Sequence, residues 1–161
     1  MRRWLKIAAI TASAALIGIQ PAVASPTVGW KIVDTNSYWE CGDYVKHTRT
    51  FTPGDFGINF KACTVVNSVG GAQAVLVVQN ASGLNPWILQ KGRVVFESQS
   101  EGDVWCAEST LNPGFTRGCY APTVQKGTCA TLDAPRVELT IGGRTEVAYG
   151  DYYLMTPPCW D

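Results

Sequence analysis

Arg136-Val-Glu-Leu-Thr-Ile141, Gly142-Gly143 and Arg144-Thr-Glu-Val-Ala-Tyr149 decide the fold. The first run alternates with period two, so Val137, Leu139 and Ile141 fall on one face of a strand. Gly142-Gly143 supplies a two-residue turn that needs positive φ, and a second alternating run follows it. Two such runs around Gly-Gly predict a β-hairpin.

Outward from this hairpin the strand pattern continues. Runs 58–67 and 72–80 are apolar enough for central strands, and shorter candidates lie at 87–90, 93–97, 103–106 and 152–155. Lys91-Gly92 separates two of these candidates, and Pro157-Pro158 stops the last. Turn pairs recur at short spacings: Gly70-Gly71, Ser82-Gly83, Asn85-Pro86, Asn112-Pro113-Gly114. No window sustains apolar residues at helical spacing. The expected fold is all-β: a single antiparallel β-sandwich of immunoglobulin-like or jelly-roll type, stapled by disulfides.

The N-terminus predicts where the chain goes. Arg2, Arg3 and Lys6 precede an apolar run from Ile7 to Ile19, and Ala22-Val23-Ala24 follows. This is the charged, apolar and A-x-A order of a secretory signal peptide, expected over 1–24. The run, about 13 residues, is shorter than the roughly 20 a membrane-spanning helix needs. The domain is therefore expected over 25–161, secreted, free of the membrane after processing, and monomeric. Without Arg2, Arg3 and Lys6, thirteen basic residues become ten against thirteen acidic ones, a net charge of −3. No cluster of Lys and Arg favours nucleic acid or an anionic membrane.

All six cysteines lie beyond the leader: Cys41, Cys63, Cys106, Cys119, Cys129 and Cys159. An even count in an exported chain reads as disulfides, and six cysteines allow 15 pairings. The Pro/Gly-rich segment between Cys106 and Cys119 favours that bridge, leaving Cys41–Cys63 and Cys129–Cys159 as the weaker assignments.

Catalytic patterns are scarce. His47 is the one histidine, and its polar run Val45-Lys-His-Thr-Arg-Thr50 reads as surface. There is no G-x-S-x-G elbow and no zinc or calcium motif. Glu97, Glu101, Asp103 and Glu108 are dense enough for a calcium ion held by scattered oxygens, but a solvated acidic edge is the simpler reading. No metal, no cofactor and no catalytic residues are expected.

Two features carry functional expectations. Five tryptophans (Trp30, Trp39, Trp87, Trp105, Trp160) follow the leader on a β scaffold, and exposed aromatic rings suit the apolar faces of sugars. Core positions are the simpler reading for each, Trp105 being expected to pack on the neighbouring disulfide. Trp87, after Asn85-Pro86, stands nearest a loop and is the candidate ligand-binding ring. The second feature is the 106–119 segment. If bridged, it displays Leu111, Phe115 and Arg117 as a protease inhibitor would, in a loop that loses little entropy on binding.

Together, Asn59-Phe-Lys-Ala-Cys63, Ala74-Val-Leu-Val-Val78, the segment from Asp103-Val-Trp-Cys106 to Gly118-Cys119, and Gly127-Thr-Cys129 resemble small exported proteins of unknown function from filamentous actinobacteria. The resemblance implies export, a disulfide-bonded β domain and a bacterial source. It carries no binding or catalytic residues. A bacterial source would leave Asn80-Ala-Ser82, a glycosylation triplet, without its usual machinery. The function expected is a secreted non-catalytic binding domain for an extracellular polysaccharide or a cell-surface or protein partner. A protease inhibitor presenting 106–119 is the alternative, and a small extracellular hydrolase the next.

Overall fold

A computed structural model describes residues 25–33, 38–52, 54, 56–99, 103–126 and 129–155. The expected leader, Glu101, Cys159 and Trp160 lie outside them. The described residues form strands without helix. In chain order these are β1 (Thr27–Val28), β2 (Lys31–Ile32), β3 (Tyr38–Cys41), β4 (Val45–Lys46), β5 (Ile58–Val66) and β6 (Gly71–Asn80). Next come β7 (Trp87–Leu89), β8 (Lys91–Val95), β9 (Val104–Cys106), β10 (Ser109–Leu111) and β11 (Thr116–Tyr120). The last are β12 (Val124–Gln125), β13 (Thr131–Leu132), β14 (Arg136–Ile141), β15 (Arg144–Tyr149) and β16 (Tyr153–Leu154).

Two large sheets organise them. One runs β1-β9-β8-β14-β15; the other runs β2-β11-β6-β5-β3, with β4 added on β5 and β12 on β6. The pairs β7–β10 and β13–β16 stand apart. One buried cluster draws on both large sheets. Phe60, Leu76 and Val78 come from one, Val94, Val137 and Leu139 from the other. Period-two strands with one apolar face each can bury those faces only against one another. The Cys106–Cys119 disulfide ties β9 of one sheet to β11 of the other.

The hairpin forms as its sequence requires. Arg136 pairs with Tyr149 and Ile141 with Arg144, and Val137, Leu139 and Ile141 are buried. Gly142 and Gly143 take φ of +55° and +75°. Two expectations change. Pairing is not wholly antiparallel, because Thr27 and Val28 run parallel to Trp105 and Cys106. A parallel neighbour needs a long crossover, and the chain between β1 and β9 supplies one. Lys91-Gly92 is not a separator but the start of β8, while β7 leaves for the β10 pair.

The outer face of the larger sheet holds a second apolar cluster. Cys63, Val65, Val75 and Val77 are buried there under Trp39, Tyr120 and the Cys41–Cys63 disulfide. Trp39 meets Tyr120 edge-on, with ring centroids 6.2 Å apart. An antiparallel sheet ordinarily leaves such a face to water; here aromatic rings shield it.

Candidate functional site

The candidate site is an open cleft of about 480 Å³. Pro86, Trp87 and Ile88 form one wall; Arg49, Gln90 and Glu108 stand around it. These residues come from distant parts of the chain, and three local devices bring them together.

The first is Asn80, fully buried at the end of β6. Its amide nitrogen donates to the Asn85 and Leu111 carbonyls, both at 2.9 Å, and its side-chain oxygen accepts from the Ser82 amide at 3.0 Å. Its backbone N–H donates to the Phe115 carbonyl, and its carbonyl accepts from Gly114. One asparagine thus fixes the 81–86 loop that delivers Trp87 and the turn that precedes β11. Both amide hydrogens are used, so the folded chain has no free Asn80 nitrogen for a glycan. Trp87 then packs on the core and pairs across from Leu111 in β10.

The second device is His47. The sequence reads it as a surface residue; the structure buries it completely. Nε2 lies 3.3 Å from the Leu139 carbonyl and 3.2 Å from that of Arg144. Both are acceptors, so this nitrogen carries the hydrogen. The ring therefore spans β14 and the start of β15. A polar run beside a hairpin hides its buried members, His47 and Thr50, because burial is decided by the partner strands. The Thr50 amide and hydroxyl both donate to the His47 carbonyl, closing a tight turn that carries Arg49 to the cleft.

The third device is the hairpin tip. Gln90 donates its backbone N–H to the Thr140 carbonyl, and its side-chain oxygen accepts from the Gly143 amide at 2.8 Å. Arg49 lies against Gly142, where an added Cβ would meet Nε at 2.9 Å. A glycine there serves both the left-handed turn and the seat of the guanidinium.

Of the sequence-derived candidates, Trp87 lines the cleft. Phe115 is exposed in the turn before β11, and the Arg117 guanidinium carbon stands 4.9 Å from its ring centroid. The structure brings these two together, and neither lines the Trp87 cleft. Arg117 sits inside the sheet, opposite Val78 on one side and Ile32 on the other. Leu111 is buried. The segment between Cys106 and Cys119 is strand–turn–strand. Cys129 is also disulfide-bonded, while the expected partner Cys159 lies outside the described residues.

Trp105 is not a core ring. Cys106 points inward, and its neighbour must point the other way. Trp105 is half-buried on the outer face, under Lys91 Nζ at 3.7 Å and the Arg93 guanidinium at 5.1 Å. Arg93 in turn pairs with Asp103 and Glu138. Asp103 is thereby committed to an ion pair, and among the described residues no group of three or more His, Cys, Asp or Glu could hold a metal. Arg49, Gln90 and Glu108 were not singled out as cleft residues. No local pattern marks them, because the topology alone assembles them.

No protein-family model, curated protein or solved structure matches the chain.

Proposed function

We propose that this chain is a secreted, non-catalytic binding domain that holds an extracellular polysaccharide or cell-surface glycan in the Trp87 cleft. The observation that carries this reading is one half-buried tryptophan wall facing three hydrogen-bonding side chains of different kinds, Arg49, Gln90 and Glu108. Sugar recognition needs that combination: an apolar aromatic surface with a few placed polar groups. We infer a single β-sandwich as the scaffold, since one core cluster draws on both large sheets. Disulfides among the described residues, with the leader-like N-terminus, favour export to an oxidising compartment. Among the described residues, no helix is long and apolar enough to cross a membrane.

The hydrolase reading ranks lower because glycoside hydrolysis needs two carboxyl groups across the bond, and Glu108 alone among the cleft-lining residues carries one. The inhibitor reading ranks lower because its segment is largely paired as strands, and of Leu111, Phe115 and Arg117 Phe115 alone is exposed.

The test is depletion of the oxidised protein by insoluble cellulose, chitin and bacterial cell wall. Selective depletion by one polymer, lost in Trp87→Ala, is expected. Trp87 rests on the core, so Ile88→Glu, at an exposed position on the same wall, is the second variant. No depletion by any polymer, or depletion untouched by both substitutions, would sink the proposal.

A further inference from the structure

The Trp87 cleft does not end at Arg49. A second cleft of about 380 Å³ is lined by Thr48, Arg49, Gly142, Gly143 and Arg144, so the two share Arg49 and Gly142. They form one groove over the hairpin tip, aromatic at one end and cationic at the other. The geometry points to an acidic saccharide as its ligand: a sugar chain whose ring rests on Trp87 while a neighbouring unit places a carboxylate between Arg49 and Arg144. This inference rests on the polysaccharide reading above and adds the charge and direction of the ligand.

Charge around the groove supports it. Arg49 is exposed and makes no ion pair among the described residues. Arg144 gives its Nε to Glu146 at 2.9 Å, yet its side chain stays 62% exposed, leaving terminal N–H groups free to face a ligand. Glu146 takes Nε of Arg144 and not its terminal nitrogens. Its carboxylate already accepts from the Thr48 amide at 3.1 and 3.2 Å and from the Thr48 hydroxyl. A guanidinium fork takes a carboxylate through two parallel hydrogen bonds, which a neutral sugar cannot offer. At the other end Glu108 repels an anion. The groove therefore orients an acidic chain with its charged unit over Arg49 and a neutral ring face on Trp87. Gly143 does not contribute, since its amide is committed to Gln90.

A matched pair of probes separates charge from sugar: trigalacturonate and its fully methyl-esterified form, titrated calorimetrically into the disulfide-bonded chain. The acid is expected to bind about tenfold tighter than the ester, the scale of one charge-assisted contact at a partly exposed site. That advantage should shrink as salt rises from about 50 to about 500 mM, because screening tightens over that range. In Arg49→Gln the acid and the ester should bind alike, the acid having lost its advantage; Trp87→Ala should weaken both. Equal binding of acid and ester by the unaltered chain overturns the cationic-end assignment and leaves the polysaccharide reading standing. If neither trisaccharide binds while a neutral polymer still depletes the protein, the acidic-ligand inference alone falls. If nothing binds at all, both fall.

Discussion

Gly92 in β8 lies directly opposite Cys106 in β9, so close that a methyl group at Gly92 would meet the Cys106 Cβ and Sγ at 2.8 Å. The same methyl would meet Leu76 of the facing sheet at 2.9 Å. The glycine is thus the space in which the inter-sheet disulfide and Leu76 fit. Gly92→Ala should destabilise the protein by about 1–3 kcal/mol through overpacking, read as a lower denaturant midpoint. An unchanged midpoint would mean that the sheets have slack at this point.

This glycine also shows where sequence reading reached and where it stopped. Lys91-Gly92 resembled a separator because glycine ordinarily weakens strands; its actual reason, a disulfide pressed against the backbone, is a tertiary fact. The 136–149 hairpin was legible because turn and register are set within 14 residues. The Cys106–Cys119 bridge was legible from its spacing. The strands between those cysteines were not, because Thr116–Tyr120 carries Arg117 and Gly118 in place of an apolar alternation. Trp105 was readable and misread: alternation alone sends it away from the face of Cys106. Of the cleft, Trp87 was visible as a loop-adjacent ring. Its companions became visible only once Asn80, His47 and Gln90 had tied their segments together.

Asn80 is the most demanding of those ties. Asn80→Ala removes three side-chain hydrogen bonds at a fully buried site, those to the Asn85 and Leu111 carbonyls and from the Ser82 amide. The expected cost is about 2–4 kcal/mol, measured by chemical denaturation. Hydrogen exchange should rise first in the 81–86 loop and the turn before β11, both of which the side chain holds. Uniform exchange across the molecule would show that Asn80 supports the core in general and not these two loops.

Glu146 carries a pH signature. Burial raises its carboxyl, but hydrogen bonds from the Thr48 hydroxyl and amide, the electrostatic influence of the nearby His47 and a hydrogen bond from Arg144 outweigh burial, and the group sits below its ordinary value of 4.5. A carboxylate lowered by folding contributes stability above its unfolded value and loses it as pH falls through the folded one. Glu146→Gln should therefore cost about 1 kcal/mol at neutral pH, and its gap from the parent should close only below about pH 4.5. The gap between variant and parent isolates this group from the other acids. A gap that stays constant down to pH 3 would assign the loss to shape and not to charge.

Trp87 and Trp105 provide the sharpest test of the cleft, because both rings are half-buried and only one lines it. Trp105 lies on the outer face beneath Lys91 and Arg93, where it shields the sheet and takes part in cation–π contacts. Trp105→Ala should cost about 1–3 kcal/mol through lost burial and those contacts, yet leave polymer retention unchanged. Trp87→Ala should destabilise to a similar degree, since its ring also rests on the core, and should abolish retention. Comparing the two at equal fraction folded removes stability as an explanation. Equal loss in both variants would point to general aromatic adhesion and dissolve the cleft as a site. Loss confined to Trp105→Ala would move the binding surface to the outer face of the five-stranded sheet, where the Asp103–Arg93–Glu138 ion pairs would become its polar lining.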